Sequence, residues 1–398
     1  PERFKSIKNI QKTFAYCYFD SPKTDAMFRQ LTSNIDINYY RYNFFHSNYL
    51  ISKNNKEKAK EIIETSLVQY PKNLILGQLK LDLENTNIFH NKFDCKNPAD
   101  VFAEIFYVAS NALAAQNNYT ISNFYLNLAK YLNPNFVSFN TLQAENFFLI
   151  QEYKKAKEIY IEVKKKGSIY SWHASKKIAS ILKRQNKNKE AINSLKKSFK
   201  QIANPRIYEI FDYAEFLKDN EKYQESIEYY SKLLSLIDTE NILFAEVVDG
   251  RGVAYERTDQ WNKAEVDLLN SLNASPDDAY VINYLAYTWI EKGINVKKSL
   301  AMLKKANKLK PNDGYIIDSL GWALFKLKNF KEAKQYLELA IRYMASDPVI
   351  NDHYADALWM NNKTLQARYY WNYVLKLEET DEKLKKEIEQ KILFGLKS

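Results

Sequence analysis

Hydrophobic and polar residues alternate along the last third of the chain with the period of amphipathic α-helices. Segment 318–340, DSLGWALFKLKNFKEAKQYLELA, predicts two such helices joined by a short turn. The first contains Gly321, although glycine costs about 1 kcal/mol relative to alanine inside a helix. We interpret Gly321, and Ala333 in the second helix, as points where neighbouring helices approach so closely that a larger side chain would overpack.

Small residues recur through this region at intervals of 34 or 35 residues. Three series keep this spacing: Gly252, Ala286, Gly321 and Ala355; Ala264, Ser299, Ala333 and Ala367; Ser271, Ala306, Ala340 and Val374. A helix–turn–helix unit of this length cannot bury its apolar face alone and has to stack on its neighbours. The spacing therefore predicts an array of stacked helix pairs.

Weaker units of the same length start near residues 40, 103, 137, 172 and 207, and residues 1–39 resemble one more, so we count about ten. Residues 72–102 fit no second helix and predict an extra helix and loop, while 238–244 lengthens one loop between units. We therefore divide the chain into a degenerate part, 1–102, and a continuous array, 103–398. A charged amphipathic helix at about 382–398 suits a polar end cap.

The repeat closely resembles the tetratricopeptide repeat, whose signature is matched by Leu320, Gly321, Leu324, Phe330, Ala333, Leu337 and Ala340. The resemblance implies an all-α fold, a right-handed α-α superhelix. The segments NYLAYTWIEKG, NDGYIIDSLGWALF and DPVINDHYADALW are similar to a family of alphaproteobacterial tetratricopeptide proteins. That family consists of exported envelope proteins without an assigned activity.

The resemblance implies that first helices line a concave groove with repeat positions 2, 5, 9, 12 and 13. Position 5 is Asp249, Asn283, Asp318 and Asp352, and position 9 includes Tyr287, Trp322 and Asp356. Such side chains could hold an extended or helical peptide through hydrogen bonds and aromatic anchors. They could equally satisfy neighbouring helix ends. Acidic position 5 excludes the chaperone-adaptor type of repeat, which needs cations to clamp a terminal carboxylate.

Composition agrees with a helical array, since 398 residues include only 8 Gly and 9 Pro. The net charge of +10 comes from residues 151–200, which hold 15 Lys or Arg and 4 Glu. Within this stretch Lys176, Lys183 and Arg184 fall at positions 5, 12 and 13. They form a candidate site for an anionic ligand, a nucleic acid or a membrane surface. Lysines on a solvated surface are the alternative, and lysine dominance over arginine disfavours nucleic acid.

No residue pattern points to catalysis. The four histidines, His46, His90, His173 and His353, lack metal-ligand spacing, and no phosphate loop or nucleophile motif occurs. We expect a structural role for His353 and no cofactor or metal. Cys17 and Cys95 lack ligand spacing too, and we interpret them as two small buried residues.

The favoured hypothesis is a non-catalytic scaffold that binds a protein or peptide partner in its groove. The alternatives are an anion-binding protein that uses the basic stretch, or the targeting arm of an enzyme. No apolar run is long enough to span a bilayer. Because the sequence starts at Pro1, we interpret it as a mature or trimmed fragment. The family resemblance favours the bacterial periplasm, with the cytoplasm as alternative.

Overall fold

The computed structural model describes residues 2–33, 40–86 and 88–396, and within them the secondary structure is helical without strands. The chain divides into two compact units, residues 1–209 and 210–398. The boundary predicted at 102/103 falls inside the first unit, and that division stays a prediction. Residues 34–39 of the predicted first repeat and 397–398 of the predicted cap lie outside the described residues.

The first unit is a series of helices with one irregular segment. In chain order they are α1 (Glu2–Tyr18), α2 (Thr24–Thr32), α3 (Tyr40–Ser52), α4 (Lys56–Gln69), α5 (Leu74–Leu81), α6 (Pro98–Ala114), α7 (Tyr119–Leu132), α8 (Val137–Leu149), α9 (Tyr153–Val163), α10 (Ser168–Arg184) and α11 (Asn188–Lys200). A π-helical turn (Asp82–Thr86) extends α5, and residues 88–97 form no helix.

The second unit continues the helical pattern. Its helices are α12 (Ile207–Lys218), whose first turn precedes the boundary, α13 (Tyr223–Leu234), α14 (Phe244–Glu256), α15 (Trp261–Ala274), α16 (Ala279–Glu291), α17 (Val296–Leu309), α18 (Gly314–Lys326), α19 (Phe330–Tyr343), α20 (Pro348–Met360), α21 (Thr364–Val374) and α22 (Glu382–Phe394). The loop before α14 is longer than those before α16, α18 and α20, at the place where the sequence predicts an insertion.

Antiparallel hairpins are the building blocks of both units. Helix α6 packs on α7, α8 on α9, α14 on α15, α16 on α17, α18 on α19 and α20 on α21. The tight turn inside a hairpin contains at least one residue with positive φ, often asparagine, as at Asn54, Asn186 and Asn362. Asparagine tolerates this left-handed conformation better than most residues, which explains its recurrence.

The periodic small residues lie where hairpins close. Ala264, Ser299, Ala333 and Ala367 have no solvent exposure. A Cβ added to Gly321 would lie 2.7 Å from the Leu337 Cγ and 3.2 Å from the Leu337 backbone nitrogen of α19. The close approach inferred from the sequence is therefore confirmed, and the all-α repeat fold with it.

Aromatic residues form the core of the first unit around Phe93, which comes from the irregular segment. Its ring centroid lies 4.4 Å from that of Phe45 and 5.5 Å from that of Phe14. The Phe93 carbonyl accepts a hydrogen bond from the Asn48 side chain. These contacts hold residues 88–97 against α1 and α3.

A disulfide joins Cys17 of α1 to Cys95, with 5.8 Å between their Cα atoms. The predicted burial of both residues is confirmed, but treating them as unlinked residues was wrong. Their separation of 78 positions carries no spacing signal, and only the packing of α1 beside the irregular segment brings the two sulfur atoms together.

Candidate partner-binding surface

First helices of the C-terminal repeats start at equivalent aspartates. The carboxylates of Asp278, Asp313 and Asp347 each accept two backbone N–H groups at the start of α16, α18 and α20. Asp381, 34 residues after Asp347, caps α22 by accepting one backbone N–H, that of Leu384. Because N-caps stabilise helix starts, they set a common register for these helices. Helix α22 therefore lies in the register of one further first helix.

Asp318 and Trp322 of α18 make internal contacts with the next repeat. Both Asp318 carboxylate oxygens lie 3.0 Å from His353 Nδ1 on α20, and the Trp322 ring stacks on the His353 ring at 3.8 Å. Burial lowers the pKa of His353, but the Asp318 charge and hydrogen bond outweigh it, so the pKa is raised. This is a buried ion pair, in agreement with the structural role expected for His353.

Asp352 and Asp356 of α20 bind α22. The Lys391 ammonium lies 2.7–2.9 Å from all four oxygens of the two carboxylates. The Trp371 indole nitrogen is 3.1 Å from one oxygen of each. Burial raises the pKa of Asp356 to about 7, the neighbouring Asp352 adds to the rise, and Lys391 opposes it.

Apart from the Trp371 contacts, which lie within one repeat, these contacts follow one rule: a side chain of each repeat binds a carboxylate of the repeat before it. The rule extends to Tyr284, which donates to Glu256 at 2.9 Å, and to the Trp322 indole, which donates to Glu291 at 2.6 Å. We call these contacts, together with the Asp318–His353 and Lys391 pairs, the inter-repeat ladder. The sequence analysis missed Lys391. Its signal was the Asp381 cap, which aligns α22 with the earlier first helices.

Four of the predicted partner-binding residues, Asp318, Trp322, Asp352 and Asp356, are therefore at least nine-tenths buried and are engaged inside the unit. Partner binding by these four stays a prediction. A partner would have to displace a contact of the inter-repeat ladder to reach them.

The three candidate residues on α14 and α16 take no part in the inter-repeat ladder, although Glu256 and Glu291 of the same helices do. Tyr287 packs on the hydrophobic core that contains Trp322. Asp249 on α14 and Asn283 and Tyr287 on α16 are half-buried. The Asn283 Oδ1 atom is buried and has no hydrogen-bond partner. Burial raises the pKa of Asp249 to about 6, Lys218 opposes the rise, and the carboxylates of Asp278 and Glu215 add to it. These three residues, Asp249, Asn283 and Tyr287, form the candidate binding surface.

Three of the ten predicted partner-binding residues are basic, and these three belong to the first unit. The other seven predicted partner-binding residues lie in the second unit. Lys183 and Arg184 occupy the last turn of α10, and Lys197 and Lys200 occupy that of α11. Lysine and arginine are favourable there because the C-terminal end of the helix dipole is negative. This placement accounts for part of the basic stretch structurally. Anion binding by Lys176, Lys183 and Arg184 stays a prediction.

Comparison with known proteins identifies the class of the fold. The family profile described as tetratricopeptide repeat matches residues 151–380, and the chain belongs to this family of helical repeat proteins. The alphaproteobacterial resemblance stays a prediction. In the part of the chain that the structure describes, no helix is long and apolar enough to cross a membrane.

Several known proteins align with parts of this chain. The TPR repeat-containing protein PA4667 of Pseudomonas aeruginosa is 28% identical over 119 residues, which are 30% of this chain and only 18% of that relative. A tetratricopeptide repeat protein from Parabacteroides merdae aligns with 72% of this chain and 97% of its own, at 14% identity and a TM-score of 0.46. YrrB, a TPR protein with an unusual peptide-binding site, aligns with 46% of this chain and 92% of its own, at 15% identity and a TM-score of 0.36.

Proposed function

We propose that the protein is a non-catalytic scaffold that binds a peptide segment of a protein partner along α14 and α16. The observation that carries the proposal is the contrast along the first helices. The residues at positions 5 and 9 of α18 and α20 form contacts of the inter-repeat ladder. Asp249, Asn283 and Tyr287, which hold positions 5 and 9 of α14 and α16, form none of these contacts. If the Asn283 side chain turns toward a bound peptide, a backbone N–H of that peptide would satisfy its oxygen, whose burial without a donor is otherwise costly.

The same surface indicates the chemistry of the peptide. A basic side chain near Asp249 would stabilise its ionised form, which burial disfavours. Tyr287 offers a large, rigid contact area at low entropic cost, as aromatic residues at interfaces do. The peptide would therefore carry an exposed backbone segment next to a lysine or arginine.

The experiment uses the full chain to capture partners by affinity purification from the source organism, with identification by mass spectrometry. The affinity of the identified partner is then measured for the double variant Asn283→Ala and Tyr287→Ala. We expect at least a tenfold loss, with helical circular dichroism unchanged.

Asn307 provides the matched control, because its Oδ1 is also buried without a partner but lies on the second helix α17. The Asn307→Ala variant should bind like the unmodified chain. Equal affinity of the double variant and the control would reject binding along α14 and α16. Replacing Asp318, Trp322 and Asp352 is a poor test, because it would remove contacts that hold the unit together.

The non-catalytic role is supported by the engagement of the titratable groups. His353, Asp352 and Asp356 are bound by other side chains of the same unit and are buried. Tetratricopeptide repeats generally serve as interaction scaffolds. A metal or a cofactor has no part in the proposal.

We also propose that the protein resides in an oxidising compartment, in keeping with the periplasmic expectation. The Cys17–Cys95 disulfide supports this location, because disulfides persist in the periplasm and are rare in a reducing cytoplasm. Alkylation of free thiols in intact cells of the source organism, followed by mass spectrometry, tests it. Both cysteines should resist alkylation until a reductant is added, and thiols that react without reductant would favour the cytoplasm.

A further inference from the structure

An apolar groove lies between α1 and α6 in the first unit, whereas the candidate binding surface belongs to the second unit. Its cavity measures about 300 Å³. Ala15 and Tyr18 of α1 and Phe19, directly after α1, line one wall, and Pro98, Phe102 and Ile105 of α6 line the other. The aromatic rings are exposed, with 56% of Phe102 and 77% of Phe19 accessible to solvent.

The two walls have the residue spacing of helices that receive a third helix between them. On α1 the lining residues Gln11, Ala15 and Tyr18 are spaced by four and three positions. On α6, Pro98, Phe102 and Ile105 have the same spacing. Such stripes fall on one face of a helix, and two stripes side by side accept the apolar face of an amphipathic helix.

The disulfide fixes the separation of the walls at one end of the groove. Cys17 lies between the lining residues Ala15 and Tyr18, on the buried side of α1, and Cys95 lies three residues before Pro98. A groove set by a covalent bond is formed before a partner arrives. Its walls therefore lose little conformational entropy when they bind.

Among the described side chains of α1 and α6 beside the groove, the charges without an opposite partner are positive. Lys8 and Lys12 are exposed on the side of α1 that carries Ala15, and neither makes an ion pair among the described residues. The carboxylates of α6 are turned inward: Glu104 is paired with Arg41, and Asp100 accepts the backbone N–H of Asp94. Asp20, after α1, is held by Lys53 and Lys96.

We propose that this groove binds an acidic amphipathic helix of a protein partner. The apolar face of that helix, with large residues at i, i+3 or i+4, and i+7, would cover Phe102 and Tyr18. Its glutamates or aspartates would face Lys8 and Lys12. This site is independent of the binding surface on α14 and α16.

The test measures binding of two fluorescent 20-residue probe peptides to the full chain by anisotropy. Both carry the same leucine stripe, which is flanked by glutamate in one and by lysine in the other. We expect the glutamate peptide to bind at least tenfold more tightly. The charge-reversed Lys8→Glu and Lys12→Glu double variant should remove that preference.

Variants of the groove locate the site. Phe102→Glu and, separately, Ala15→Glu should each weaken the glutamate peptide at least tenfold, and both alter exposed positions, so folding should persist. Tyr131→Glu on α7 is the matched control, because Tyr131 is 86% exposed and does not line the groove.

Three results would overturn the proposal: no binding of the glutamate peptide, equal binding of both peptides, or binding that survives both groove variants. Two further measurements would identify a different occupant of the groove. Binding of phosphatidylglycerol vesicles in place of the peptide, lost in Phe102→Glu, would assign the groove to a membrane surface. Self-association in ultracentrifugation, lost in the same variant, would assign it to a second copy.

Discussion

Replacing Gly321 by alanine tests the close helix approach on which the repeat architecture depends. The new methyl carbon would lie 2.7 Å from the Leu337 Cγ and 2.9 Å from its Cδ2, too close without a shift of α19 or of that side chain. Overpacking of this kind costs about 1–3 kcal/mol. Better helix propensity returns about 1 kcal/mol. We therefore expect a net loss of up to about 2 kcal/mol in the free energy of unfolding of the second unit.

Gly77 provides the matched control, because it lies in the middle of α5 and an added Cβ would meet only Ile169, at 3.6–3.8 Å. That distance is an ordinary van der Waals contact, so Gly77→Ala should keep the propensity gain and stabilise the first unit by about 1 kcal/mol. The two substitutions are chemically identical. Their effects should have opposite signs.

Urea unfolding followed by circular dichroism and by tryptophan fluorescence measures both variants. Five of the six tryptophans lie in the second unit, so fluorescence reports mainly on it. In thermal unfolding of a unit of 150–250 residues, each change of 1 kcal/mol in the free energy of unfolding corresponds to about 2–4 °C in melting temperature. If Gly321→Ala raised stability as Gly77→Ala does, the small residues could not be explained by close packing.

Two further predictions concern the buried ion contacts of α20, and a third concerns the disulfide. Lys391→Met should leave two carboxylates buried without a cation, at a cost of about 3–5 kcal/mol, and hydrogen exchange should show α22 exchanging faster; unchanged protection would contradict the contact's role. Since the pKa of Asp356 is raised from 3.8 to about 7, its contribution to stability is complete below 3.8 and is lost as pH rises through 7. The melting temperature of the second unit should therefore fall between about pH 4 and 7, less steeply in Asp356→Asn; an equal slope would refute the assignment. Serine at both Cys17 and Cys95 should destabilise the first unit by up to about 4–5 kcal/mol, the entropy of the loop that the bond closes. A melting temperature that stays unchanged on adding a reductant would argue against the bond.

The repeat register could be predicted from the sequence because helix packing is local. Consecutive helices of a hairpin touch at fixed positions, so Gly321 and Ala333 recur as small residues in unit after unit. The same register located Asp318 and Asp352 on first helices. It could not say what those carboxylates bind, because their partners lie one repeat further along.

Residue spacing therefore determined the helical class, the repeat length and the first-helix positions of this protein. Tertiary structure decided how those positions are used: His353 and Lys391 neutralise carboxylates of the preceding repeat, whereas Asp249, Asn283 and Tyr287 stay outside the inter-repeat ladder. It also decided the pairing of Cys17 with Cys95. The physical reason is that a periodic pattern records which face of a helix is buried, whereas an ion pair or a disulfide depends on distances between side chains that only the folded chain brings together.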